Sequence, residues 1–489
     1  MKNAKKVFAM LIVLALAISM AIPASAGSIT ITGVNKDVKV DYRLWQMATL
    51  TFSAGEQAGT ADDTYAYTAT DAWVDFFSTG AAAGYFDFDS KSKAVTKTNA
   101  YDDSAAATVA DLALKYVKSK SLTPTKTTSS AVNATTAVFS GVDNGFYLVD
   151  STLGTKLILD SVVGDLSIST KNTAPTLDKK IVVDEDTKVK SDDVEIGKPV
   201  NFEITITKQA GAVNYVVEDT LSKGLTFTAG SAMIKLADGA AKAITPDIAV
   251  VEDEQQLTFT VEGEENIADG ASIVITYSAV LNDSALIDRA NTNTAVLKYG
   301  NNATYTTEPS TTNTYTWSFD LVKYSNSKAD ANKLPGATFS LYEVDPFAAG
   351  NKDAQPLKFF LVDGQYRLAA DQNSTNANIK NVFTDTNGTY DIAGLDSGKT
   401  YYLKEVAAPA GYNVLTTATP VTISTNGTTA TTLTNNTAEV SVINNTGTEL
   451  PQTGATGTII FITVGGLMVV AMGVLLVVRK RMSKVVYTR

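Results

Sequence analysis

The 489-residue chain carries 40 basic and 51 acidic side chains, a formal charge of −11, and neither cysteine nor histidine. Those absences exclude disulfides, thiolate metal sites and any histidine-based general base or catalytic triad. The acidic balance argues against nucleic acid as a partner, and the length suits about three domains.

At the start, Lys2, Lys5 and Lys6 precede an apolar run from Val7 to Ile22 and the small residues Ala24-Ser25-Ala26. This is the layout of a secretory signal peptide over 1–26, with Gly27 as the first mature residue. An exported chain without disulfides must draw its stability from some other source. From Gly27 onward, short alternating runs rich in Thr, Ser, Val and Tyr between turn residues predict a mainly β protein of tandem immunoglobulin-like β-sandwich domains. Ser28–Thr32 is the first such strand. Helical periodicity is confined mainly to Thr70–Thr79 and Ala105–Lys120. This N-terminal domain is expected over 27–171, ending in Leu166-Ser167-Ile168-Ser169-Thr170-Lys171-Asn172. Lys171 shares its strand face with Ser167 and Ser169, so its amine should meet solvent.

A second domain is expected over 174–312. Its first strand is Pro175-Thr176-Leu177-Asp178-Lys179-Lys180-Ile181, where Lys179 shares a face with Leu177 and Ile181, and Lys180 with Thr176 and Asp178. Val200–Ile206 alternates as an interior strand. In Tyr215–Leu221, Asp219 lies on the face of Tyr215, Val217 and Leu221; in Asn293–Tyr299, Asn293 lies in line with Ala295, Leu297 and Tyr299. The acids Asp184-Glu185-Asp186 and Ser191-Asp192-Asp193 lack the glycine and closing glutamate of a calcium loop and read as a solvated hairpin, so no metal is expected. Thr304–Thr314 reads as an extended Thr-rich linker.

The third domain, 313–447, opens with Phe319-Asp320-Leu321-Val322-Lys323 and closes with Val440-Ser441-Val442-Ile443-Asn444. Between them stands Tyr401-Tyr402-Leu403-Lys404-Glu405-Val406-Ala407-Ala408-Pro409-Ala410-Gly411-Tyr412. Lys323 shares a face with Phe319 and Leu321, Glu405 with Tyr401 and Leu403, and Asn444 with Val440 and Val442. Three polar residues therefore point where apolar ones point, into a core where unpaired charge is costly. Burial would favour the neutral, nucleophilic amine of Lys323 and the protonated acid of Glu405. The final segment, 450–489, contains Leu450-Pro451-Gln452-Thr453-Gly454, an apolar run over 459–478 about long enough to cross a bilayer, and a basic tail over 479–489. The two ends of the chain hold eight basic residues and no acidic one, so the body between them is more acidic than the whole.

These motifs together resemble the sortase-assembled backbone pilins of Gram-positive bacteria. The run 401–412 resembles the E-box of CnaB-type domains, with Val406 where the family has Thr. The run 175–181 and the Asp219 strand resemble the isopeptide-forming middle domain of fimbrial subunits. The segment 450–489 resembles an LPXTG cell-wall sorting signal. The resemblance implies spontaneous Lys–Asn isopeptide bonds, Lys323 to Asn444 promoted by Glu405 and Lys179 to Asn293 promoted by Asp219. Glu218, Asn291 and Asn445 stay open as alternatives. It further implies that a sortase cuts between Thr453 and Gly454 and passes the Thr453 carbonyl to Lys171 of the next subunit. Lys171 stands in a degraded pilin motif, in which only the Lys-Asn pair survives, and Lys115, Lys118, Lys120 and Lys156 are alternative acceptors.

On this reading the chain is a cell-wall surface structural protein with no cofactor. Its partners are other copies of itself, sortases, peptidoglycan, accessory pilins and a host or bacterial ligand. A monomeric wall-anchored adhesin is the competing expectation.

Overall fold

The computed structural model describes residues 27–52, 65–79, 82–102, 105–161, 165–170, 173–301, 304–376, 378–381, 383–423 and 438–446, with Met472, Val474 and Leu475. The expected signal peptide, Lys171 and the pentapeptide 450–454 lie outside the described residues, as does all of the apolar run but those three. The described residues divide into two compact units that meet along the chain between Thr316 and Trp317.

Period-2 alternation builds the long strands Pro199–Thr207, Val216–Leu221, Ser272–Leu281 and Asn291–Tyr299 of the first unit, whereas Gly145–Ser151 is buried throughout. The unit's N-terminal part is a seven-stranded sheet centred on the long strand Val40–Phe52, beside Gly145–Ser151. The helix Ala105–Lys120 turns Val109, Ala113 and Val117 onto an aromatic core that includes Trp73, Phe77, Phe86 and Phe146. A helical turn over Asp71–Trp73 continuing into Val74–Ser78 supplies the first two of those rings. Both helices fall where the sequence periodicity places them. A second small sheet pairs Gly27–Thr32 in parallel with Leu166–Ser169, matching Ile31 to Ile168.

The remainder of the first unit is a sandwich of two seven-stranded sheets. One sheet sets Thr176–Val182 beside Pro199–Thr207, and that strand beside Ser272–Leu281. The other sets Ser310–Tyr315, Asn291–Tyr299 and Val216–Leu221 side by side. Burial alternates residue by residue along Ser272–Leu281, so each sheet presents an apolar inner face. The acidic 184–186 stretch is the exposed turn of a hairpin, in which the Asp184 carboxylate accepts from the backbone N–H groups of Asp186 and Thr187 at 2.9 and 2.7 Å.

Ser310–Tyr315 corrects the linker reading of 304–314. The stretch pairs antiparallel with Asn291–Ala295 and parallel with Ser191–Asp193, and its Thr312 and Thr314 are buried. A run of threonines is polar enough to look like linker, yet its β-branched side chains suit a pleated surface. The Thr312 hydroxyl is satisfied inside by donating to the Asn293 carbonyl at 3.3 Å.

The second unit packs a six-stranded sheet on a four-stranded one. Its first strand, Trp317–Ser325, lies parallel to its last, Ala438–Asn444, with Lys323 matched to Val442 and Ser325 to Asn444. The facing sheet contains Thr400–Ala407, where Tyr401, Leu403 and Glu405 point inward and Val406 points out.

Candidate functional site

Each sandwich buries one lysine completely. Lys179 and Lys323 both show 0 % exposure, and Asp219, Asn293, Glu405 and Asn444 are buried with them. A lysine on an apolar strand face leaves its amine nowhere to reach water, so the neighbours decide whether the site is tolerable.

In the first unit the Lys179 amine donates to Asp219 Oδ2 at 2.7 Å and to the Tyr277 hydroxyl at 2.7 Å. Tyr277 in turn donates to Asp219 Oδ2, and the Asn293 side-chain amide donates to the Tyr277 oxygen at 2.6 Å. The amine sits 4.8 Å from the Phe202 ring centre and 4.9 Å from that of Tyr277. Phe227 and Phe259 pack against Tyr277 from other sides. Burial pushes the Lys179 amine down to about 8 against the pull of the Asp219 carboxylate. Burial raises the Tyr277 phenol well above its ordinary value, so it stays protonated. Asp219 and Asn293 come from one sheet, Lys179 and Tyr277 from the other, so the cluster spans the sandwich.

The alternatives left open by the sequence lie elsewhere. Glu218 points to the other face of its strand and pairs with Lys298 at 2.5 Å. The Asn291 amide is consumed by a turn, accepting from Leu286 N at 2.8 Å and donating to the Leu286 and Thr314 carbonyls at 3.1 and 3.3 Å. Gly224 makes room for it: a Cβ there would stand 2.2 Å from Asn291 Oδ1. Lys180 is half-buried on the outer face, 3.6 Å from Asp178.

In the second unit the Lys323 amine donates to the Tyr324 and Val442 carbonyls at 3.3 Å each. The Asn444 amide donates to both Glu405 oxygens, at 2.8 and 2.9 Å, and Glu405 Oε2 also accepts from Leu415 N at 2.9 Å. Burial lowers the Lys323 amine to about 8, with Glu405 opposing. The two clusters share a further trait. The side-chain carbonyl oxygens of Asn293 and Asn444 are buried with no hydrogen-bond partner among the described residues. Such an oxygen is costly to leave bare, and it belongs to the carbon that a nearby amine would attack.

Sequence reasoning did not single out Tyr277, which the structure places within the Lys179 cluster. Its signal was available: it shares the inner face of Ser272–Leu281 with Ile273, Ile275 and Ala279, a hydroxyl in an apolar row. At the close of the N-terminal part, Ser167 and Ser169 are exposed and Thr170 is buried against Gly27–Thr32, donating to the Thr32 carbonyl at 3.1 Å. Lys171 itself lies outside the described residues. Among the alternative acceptors, Lys120 and Lys156 are ion-paired with Asp75 and Asp111, while Lys115 and Lys118 are exposed. Among the described residues no acidic cluster has the makings of a metal site.

Three segments match known families. Residues 196–303 match the Gram-positive pilin backbone subunit 2, Cna-B-like domain; residues 319–437 match the SpaA prealbumin-like fold domain; residues 443–484 match the LPXTG cell wall anchor motif. The chain is 26% identical over 278 residues to the trypsin-resistant surface T6 protein of Streptococcus pyogenes serotype M6. That alignment covers 53% of this chain and 47% of the relative, so the chain spans about half the relative's length. Among solved structures, the T6 backbone pilin of serotype M6 Streptococcus pyogenes superposes with a TM-score of 0.47 at 18% identity, covering 83% of this chain and 81% of that one. The full-length RrgB pilus protein of Streptococcus pneumoniae gives 0.45 at 15% identity, covering 88% and 100%.

Proposed function

We propose that this cell-wall-anchored protein, which carries a Gram-positive pilin backbone domain, is the structural shaft subunit of a covalently polymerised surface pilus. Its subunits are joined head to tail by a sortase through Thr453 and Lys171, and each is locked internally by Lys179–Asn293 and Lys323–Asn444 isopeptide bonds. Partners on this reading are further copies of the chain, pilus and wall sortases, peptidoglycan and accessory pilins. The observation that carries it is a cysteine-free exterior protein with two fully buried lysines, each clustered with a buried carboxyl group and asparagine.

The chemistry follows from the clusters. A neutral Lys amine attacks the asparagine Cγ, the side-chain carbonyl oxygen takes up the developing charge, and the Cγ–Nδ2 bond breaks to release ammonia. Asp219 and Glu405 move the protons. Nothing external is consumed, and each site reacts once.

The placement of the bonds suits tension. Lys323 and Asn444 stand near the C-terminal ends of two parallel strands, the first and last of their unit. Force entering at Trp317 would run along one strand to Lys323, cross the amide bond and leave at Asn444, bypassing the hydrogen-bonded interior between them. Thr453 acting on Lys171 of a neighbour is a heterologous contact, which extends into a filament and does not close.

The reading has a pH signature. The ion pair of Lys179 and Asp219 holds one proton in all, and so does the reactive arrangement of neutral amine and protonated carboxyl. Bond formation at this site is therefore expected to be independent of pH around neutrality. It should fall about tenfold per unit above about pH 8, where Lys179 gives up that proton altogether. Intact-mass time courses on chain refolded from an unlinked, urea-solubilised form measure it. A rate that climbs up to pH 8 and then levels would rule out the proton-sharing pair.

The test of the function is an SDS gel of wall-extracted material. A ladder rising by one subunit per step is the expected result, and a single discrete band overturns the shaft assignment.

A further inference from the structure

We propose that Tyr277 is a catalytic residue of the Lys179–Asn293 crosslink, the hydroxyl through which the proton reaches the departing Nδ2 of Asn293. The inference rests on the isopeptide reading above and adds a group to it.

The argument starts from a difference between the two clusters. In the second unit the Asn444 amide sits directly on both oxygens of Glu405, so that carboxyl can hand a proton to the leaving nitrogen without help. In the first unit the Asn293 amide is hydrogen-bonded to the Tyr277 oxygen and, among the described residues, not to Asp219. Asp219 instead holds the Lys179 amine and the Tyr277 hydroxyl. Among the described residues the phenol is thus the one group that touches nucleophile, carboxylate and leaving nitrogen together. Rings of Phe202, Phe227 and Phe259 enclose it. A fully buried, aromatic-walled site favours a fixed side chain as the carrier.

The step balances. Lys179 first gives one proton to Asp219, leaving a neutral amine and a carboxylic acid. The amine attacks Cγ, forming the Nζ–Cγ bond while the carbonyl electron pair moves to Oδ1. With Asp219 now protonated, the hydrogen bond between them reverses. Asp219 donates to the phenol oxygen, and the phenol turns its own proton to Nδ2. As that proton transfers, the phenol is refilled from Asp219, the Cγ–Nδ2 bond breaks and ammonia leaves. The carbonyl re-forms, and the second Nζ proton returns to Asp219. Tyr277 ends as it began, and Asp219 ends protonated.

The high proton affinity of this buried phenol fits a relay, since it lends its proton only when another replaces it at once.

The experiment uses the full mature chain, refolded from an unlinked state and followed by intact mass and peptide mapping. Wild type should lose two ammonia molecules. Tyr277→Phe keeps the ring packing and removes only the hydroxyl. It should form the Lys323–Asn444 bond at the wild-type rate and the Lys179–Asn293 bond at least about a hundredfold more slowly. A 3,5-difluorotyrosine placed at position 277 keeps ring and hydroxyl but makes the phenol more acidic. It should change the rate of the first bond alone, as a merely structural hydroxyl would not. Tyr277→Phe forming both bonds at the wild-type rate, or an unchanged rate with the fluorinated ring, overturns the role of Tyr277 while the crosslink reading stands. A wild-type chain that loses no ammonia sinks the crosslink reading itself.

Discussion

Lys179→Ala is expected to cost the first unit more stability than Asn293→Ala, although each removes the same crosslink. Both variants should weigh about 17 Da more than expected for a doubly linked chain carrying the substitution, because one ammonia is retained. Both lose the covalent tie between residues 179 and 293, worth about 5 kcal/mol by the loop-closure estimate developed for disulfides. They differ in what remains behind. Asn293→Ala leaves Lys179 paired to Asp219 and Tyr277. Lys179→Ala leaves the Asp219 carboxylate in an aromatic-walled core without its cation, and an orphaned buried charge costs about 3 to 5 kcal/mol more. Urea unfolding of the two variants, followed by a probe in the first unit, measures the gap. Equal midpoints would mean that the ion pair carries no weight in that core.

Lys171→Ala should collapse the ladder of wall-extracted polymers to the single-subunit band. The expected loss is all-or-none, because a transpeptidase needs an amine at the acceptor position and alanine offers none. Folding should be untouched: strand parity sets Lys171 in line with the exposed Ser167 and Ser169, while the inward contact of this segment is made by Thr170. Thermal unfolding and both ammonia losses should match wild type. A ladder that persists would move the junction to another lysine. Lys115 and Lys118 are then the first to replace, since Lys120 and Lys156 are committed to ion pairs with Asp75 and Asp111.

Much of the architecture was legible because strand parity is a local property. Lys179, Asp219, Asn293, Lys323, Glu405 and Asn444 each share a face with apolar neighbours two residues away, and all six are buried. The same rule separates Lys179 from Lys180 and places Val406 outside. It misleads where composition and shape disagree: the threonines of 310–315 look like linker and form an inner strand, because β-branched side chains suit the pleat and the buried Thr312 hydroxyl finds a carbonyl.

The sequence by itself determined the fold class, the two helices of the first unit, the anchor motif and which polar side chains turn inward. Only the tertiary structure decided which of those side chains meet. Asn291 and Asn293 have the same parity, and one is spent on a turn while the other reaches Tyr277. Tyr277 itself looked like one more aromatic in an apolar row until the opposing sheet brought Asp219 to its hydroxyl. The physical reason is range. Alternation is set by neighbours two residues apart, whereas a reactive cluster is set by how two sheets, whose contacting residues here lie 16 to 58 positions apart in the chain, stack and register against each other.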